Sequence, residues 1–145
     1  MTNETLFDKA ERQFNVALMI RESMGEDERY LTEVGYHLQQ AVEQTIKYLL
    51  EMQGVSYAFS HDITYLIRLA EENDADICLT EYIDEHSEML SSWEANTRYV
   101  LNYTLELRKV DAAIENIEAY LDKVSEKIRQ ELEEENGDKE NPNDD

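Results

Sequence analysis

Basic charge is scarce in this chain of 145 residues: 13 Lys and Arg stand against 34 Asp and Glu, a formal net charge of −21. So acidic a surface repels polyphosphate, which argues against broad binding of extended DNA or RNA through a basic face. A basic helix lying in anionic lipid is disfavoured for the same reason. Glycine and proline are nearly missing, at four and one. Turn-rich β architectures need both residues, so their scarcity points to long helices. One cysteine, Cys78, cannot form an intramolecular disulfide or a multi-cysteine zinc site, and it suits a reducing compartment. No apolar run approaches the ~20 residues of a membrane span. The opening MTNETLFDKAERQF lacks the basic and apolar regions of a signal peptide. These absences lead us to expect a soluble, cytoplasmic protein without a membrane segment. Its length suits one domain with a tail.

What is present is helical periodicity. Five helices are expected. The first covers about Thr5–Met24, with Phe7, Ala10, Phe14, Ala17 and Leu18 at spacings of three and four. The second covers about Glu28–Gln53 and closes on Gly54, where a C-terminal cap belongs. Ser60-His61-Asp62 opens a short third helix, with Ser60 the expected N-cap. A fourth spans about Leu79–Trp93, and Glu94–Arg98 reads as an interruption. The fifth then runs to about Leu132. Val110, Ile114, Ile117, Leu121, Val124 and Ile128 repeat at 3.5 residues, the seam of an antiparallel bundle or coiled coil. The expected fold is therefore all-α: a four- or five-helix up-and-down bundle over residues 1–132, with a long C-terminal helix. Residues 133–145 are acidic and almost free of apolar side chains, so a disordered tail is expected there. A helix of ~30 residues is ~45 Å long. Its turns near Val124 and Ile128 would overhang the bundle, and apolar groups left wet there point to a homodimer.

The residues that could carry chemistry lie in HLQQAVEQTIKYLLEMQG, SHDITYLIRLAEE and WEANTRYV. Gln40, Ala41, Glu43, Lys47, Leu49, Leu50 and Gly54, then His61, Asp62 and Leu66, then Arg98 and Tyr99 together resemble the HEPN superfamily (higher eukaryotes and prokaryotes nucleotide-binding) over roughly residues 5–130. The resemblance implies a four- or five-helix bundle, usually dimeric. Many members are metal-independent RNases whose activity the resemblance ties to an Arg and a following His with four to six residues between them. Here the positions after Arg98 hold Tyr103, Thr104 and Leu105, and His37, His61 and His86 all precede it. No imidazole at that spacing can take the ribose 2′-hydroxyl proton. The expectation is a member without that activity. Its implied partner is a minimal nucleotidyltransferase, as in toxin–antitoxin pairs, with room for a nucleotide.

In this reading Arg98, Tyr99, Asn102 and Tyr103 line the partner or nucleotide cleft, with Asn102 one helical turn beyond Arg98. His61 and Asp62 are further candidates, although a helix start whose imidazole bonds a carbonyl explains them as well. Glu33 and His37 share the i, i+4 spacing of a metal pair but have no third ligand, so no metal is expected. Glu43 and Lys47 read as a solvated i, i+4 pair of ~0.3–0.5 kcal/mol. No Gly-rich phosphate loop, Gly-x-Ser-x-Gly elbow or His-Glu-x-x-His calls for a cofactor. Two alternatives remain beside the partner-binding module. One is a divergent RNase toxin that pairs Arg98 with Asn102 or Tyr103. The other is a stand-alone adaptor bundle.

Overall fold

The computed structural model describes residues 3–140, and among them there is no strand. The helices are α1 (Leu6–Ser23), α2 (Leu31–Met52), α3 (Ile63–Glu72), α4 (Glu81–Glu85), α5 (Ser87–Tyr99) and α6 (Leu107–Glu140). A 3-10 turn at Glu28–Tyr30 leads into α2. No helix among the described residues is long and apolar enough to cross a membrane.

Local chemistry explains most of these boundaries. Thr5 and Asp8 cap α1 reciprocally: the Asp8 amide donates to Thr5 Oγ1 at 3.0 Å and the Thr5 amide to Asp8 Oδ2 at 2.9 Å. At the end of α2, Gly54 takes φ +73°. Val55 N–H then reaches Leu50 O at 2.9 Å and Gly54 N–H reaches Glu51 O at 3.1 Å, a Schellman closure that needs a residue without Cβ strain. α2 is the central rod, buried on every side from Leu38 to Lys47. It packs against α1, α3, α5 and α6.

The long helices alternate in direction. Phe7 lies 6.0 Å from Tyr48, ring to ring, and Gln13 Oε1 meets His37 Nδ1 at 2.6 Å, so α1 runs antiparallel to α2. Thr97 Oγ1 donates to Thr32 O at 3.3 Å, which sets α5 antiparallel to α2 as well. The Arg21–Asp111 pair ties the start of α6 to the end of α1. The four long helices thus form an up-and-down bundle, with α3 and α4 in the crossover between α2 and α5. At the α2–α5 crossing, a Cβ on Gly35 would lie 3.1 Å from Trp93 Cε3 and closer still to Leu105 Cδ1. This glycine is therefore required by close approach.

Several expected boundaries shift. Asp62, not Ser60, caps α3: its carboxylate accepts from Thr64 N–H at 2.9 Å, while Ser60 Oγ accepts from Asp62 N–H. The expected fourth helix breaks at His86, whose N–H and ring Nδ1 both turn onto Tyr82 O at 3.0 and 2.8 Å. The expected interruption at Glu94–Arg98 is helical: Glu94 is buried and accepts from the exposed Arg98 one turn on. The chain becomes irregular only at Val100, and the last helix starts at Leu107.

The α6 seam is also rotated from its expected position. Val110, Ala113, Ile117, Tyr120 and Val124 are its innermost residues, at steps of three and four, while Ile114 and Ile128 are half-buried. Tyr120 can sit fully inside because its hydroxyl donates to Ile77 O at 2.8 Å. Val124 is covered by its own chain, so it leaves no wet surface for a second copy. Residues 129–137 are exposed, with Leu132 the apolar one among them. The stretch expected as a tail from 133 is helical as far as Glu140, and residues 141–145 lie outside the described ones.

Candidate functional site

The informative site begins as a polar row on a helix that has no solvent face to put it on. Gln39, Gln40, Glu43, Gln44 and Lys47 project from α2 and are all buried, with Gln39 fully covered. Burying so many polar groups is costly unless they satisfy one another. They do so along the helix, by i, i+4 bonds and one between neighbours. Gln39 Nε2 donates to Glu43 Oε1 at 2.9 Å, Gln40 Nε2 to Gln39 Oε1 at 2.7 Å, and Lys47 Nζ to Glu43 Oε2 at 3.0 Å. Glu43 and Lys47 are therefore not the solvated pair expected from their spacing. They form a buried ion pair beneath the loop that follows α2. Gln44 Oε1 is the one buried side-chain acceptor without a hydrogen-bond partner among the described residues.

The loop after α2 folds back over this row. Gln39 Nε2 also donates to His61 O at 3.0 Å, which fixes the backbone just before α3. His61 Nδ1 lies 3.0 Å from Glu43 Oε1. A carboxylate only accepts, so Nδ1 carries the hydrogen and Nε2 is turned toward α5. There it stands 3.9 Å from Glu94 Oε1, and the same oxygen accepts from Arg98 Nη1 at 2.8 Å. The hydrogen bond that Arg98 donates to Glu94 raises the guanidinium further above its already high ordinary value. The result is a continuous chain of groups, Lys47–Glu43–His61–Glu94–Arg98, across α2, the α3 entrance and α5. Two carboxylates face two fixed cations, and the His61 imidazole stands between the two pairs.

Aromatic and aliphatic groups surround the exposed end of this chain. Phe59 packs edge-on to His61 with ring centroids 5.2 Å apart, and Lys47 Nζ lies 5.8 Å from its centroid. Phe59 is nonetheless 89% exposed. Beyond Arg98, Tyr99 and Leu101 are 75% and 96% exposed, and Val100 is exposed beside them. Arg98 lies over the Tyr99 ring at 5.4 Å.

The expected site residues separate into two sets. His61 and Arg98 converge on Glu94, and Tyr99 is stacked beside Arg98. Asp62 is exposed and spends its carboxylate on capping α3, with Ser91 Oγ at 3.4 Å. Asn102 and Tyr103 are not one helical turn beyond Arg98, because the helix ends at Tyr99 and both lie in the following loop. Among the described residues neither side chain hydrogen-bonds to the Arg98 network. His37 Nδ1 donates to Gln13 Oε1 and does not bond Glu33, and no group of three His, Cys, Asp or Glu among the described residues is placed to hold a metal ion.

Glu94 and Phe59 are the members that spacing alone did not single out. Gln39, Gln40, Glu43, Gln44 and Lys47 share one face of α2, opposite Leu38, Ala41, Val42 and Ile46, so the sequence shows an ordinary amphipathic helix and only the loop folded over that face buries the row. A groove of about 670 Å³ between α3 and α6 lies apart from this network. Lys127 and Asp76 pair there at 2.5 Å, and burial pushes the Cys78 thiol up, away from a reactive thiolate.

A sequence model of the HEPN domain matches residues 4–129, a span that contains every group of the network. No curated protein and no solved structure matches the chain.

Proposed function

Because the chain belongs to the HEPN domain family, we propose that it is a non-catalytic, homodimeric helical module that docks a partner protein. A minimal nucleotidyltransferase is the partner class the family resemblance implies, as in toxin–antitoxin pairs. One observation carries this reading. Both fixed cations of the network are already held by buried carboxylates of the same chain, Lys47 by Glu43 and Arg98 by Glu94. A phosphate arriving at the site would have to compete with those acids, whereas transition-state stabilisation needs donors free to meet the developing charge. Exposed Phe59, Tyr99, Val100 and Leu101 border the same groups, a composition suited to protein contact. Self-pairing has a further requirement in a chain of net charge −21. Two copies repel unless they meet where local charge cancels, and this face meets that condition.

The test is co-purification from the native host with nucleotide binding measured alongside. The reading expects a nucleotidyltransferase to be recovered with the chain, and purified chain to leave cellular RNA intact. Failure to recover any nucleotidyltransferase, together with no shift of melting temperature by nucleotides, would overturn it.

A second reading is favoured by the approach of His61 to Arg98 through Glu94. An imidazole oriented by Glu43, with Nε2 turned toward a guanidinium's partner, has the parts of an RNase site without the usual spacing. In that case expression would be toxic, and either Arg98→Ala or His61→Ala would abolish the toxicity. Intact RNA and unimpaired growth would remove this alternative.

A further inference from the structure

A second apolar surface lies at the α1–α2 corner, outside the Arg98 network. Met19, 64% exposed, and Tyr30, 50% exposed, flank a groove of about 580 Å³ whose floor is Ile20 and buried Met24. Gly25 at φ +61° makes the tight turn that brings the end of α1 beside the start of α2. Methionine is flexible and polarisable, and it adapts to varied apolar partners without a fixed rotamer. The charge around the groove is one-sided. Glu33 lines the groove, and the exposed Glu22, Glu26 and Glu28 lie on the α1 end and the turn that form it. Among the described residues none of these four carboxylates is in an ion pair. Arg29 is committed to Asp27 at 2.7 Å and Arg21 to Asp111 at 2.7 Å. An apolar floor inside a rim of unpaired carboxylates is complementary to a helix with apolar residues on one face and Lys or Arg on the other.

We propose that the α1–α2 corner is a docking groove for a basic amphipathic helix of a partner protein. The apolar stripe of that helix lies on Met19, Met24 and Tyr30, and its cations meet Glu22, Glu26, Glu28 and Glu33. A second copy of this chain is a poor occupant, because it would bring the same acidic rim against itself. The inference goes beyond the proposed role of the Arg98 face and uses none of its residues.

The probe is a synthetic helix of about 18 residues, five turns, built from Leu at i, i+3, i+4 and i+7 with Lys elsewhere. It is titrated into full-length protein and followed by backbone amide and Met methyl NMR shifts. The expected result is saturable binding with the largest shifts at Met19, Met24 and Tyr30. Affinity should fall about tenfold or more in Met19→Ala/Tyr30→Ala, the loss typical of central anchors. It should also weaken in high salt. Both substituted side chains are largely exposed, and circular dichroism checks that the fold is kept. Equal binding of a scrambled peptide of the same composition would overturn the proposal, as would equal binding of a version with Glu in place of Lys. Shifts centred on Phe59 and Leu101, or a change of oligomeric state in Met19→Glu, would overturn it too. None of these outcomes bears on the recovery of a nucleotidyltransferase, so the two readings fail separately.

Discussion

Replacing Glu43 by leucine should destabilise the bundle far more than its sequence spacing suggests. In a solvated i, i+4 pair the loss would be ~0.3–0.5 kcal/mol. In the structure, Glu43 is 3% exposed and its carboxylate accepts from Gln39, His61 and Lys47. Leucine removes all three acceptor contacts and leaves the Lys47 ammonium buried without a counter-charge. Removing one partner of a buried pair costs ~3–5 kcal/mol, because the remaining charge is left desolvated and unpaired. For a chain of this size that lowers Tm by ~6–20 °C, at ~2–4 °C per kcal/mol. Adding Lys47→Met to the same background removes the stranded cation and should restore at least ~1.5 kcal/mol, a coupling typical of residues in contact. Urea denaturation followed by far-UV circular dichroism reads both values from the midpoint, provided the slope is unchanged. A loss below about 1 kcal/mol for Glu43→Leu would refute the reasoning and return the pair to the surface. So would a double variant no more stable than the single one.

Other predictions follow from the packing. Gly35→Ala gains helix propensity but drives a methyl into Trp93 and Leu105, so a net loss of ~1–3 kcal/mol by urea denaturation is expected. Tyr120→Phe removes the donor to Ile77 O and should cost ~1–2 kcal/mol, with no change in helical content. Burial pushes the half-buried His37 ring below its ordinary value of 6.5. The unfolded chain therefore takes up the proton first, so the stabilisation from this group is complete above pH 6.5 and is lost as pH falls below that toward the folded value. His37→Gln should remove that part of the acid-side decline, measured as the difference in unfolding free energy between wild type and variant across this range.

The all-helical architecture was legible because it rests on local information. The Phe7–Ala10–Phe14–Ala17 stripe, the Gly54 closure and the 3.5-residue period of α6 are each specified by neighbours in sequence. The misplaced boundaries were set by contacts between distant segments. Glu94–Arg98 stays helical because Glu94, on α5, is buried beside the His61 loop and accepts from Arg98, which polar composition alone cannot reveal. The inner position of Tyr120 depends on a carbonyl 43 residues away. In the candidate site, His61 and Arg98 stood out as residue types suited to chemistry. Their meeting at Glu94 is tertiary, and so is the burial of Glu43 and Lys47. Asn102 was assigned by helical spacing to a turn that the chain does not make, since Val100 adopts an extended conformation.

Sedimentation equilibrium of the wild-type chain and of Leu101→Glu tests the account most directly. Leu101 is 96% exposed beside Arg98, so the substitution leaves the folded chain intact while placing a charge on the face where two copies are proposed to meet. The account predicts a wild-type mass of twice the 17.0 kDa chain and a return to one chain mass in the variant. A wild-type protein that sediments as a single chain at micromolar concentration would contradict it, as would a variant that stays paired.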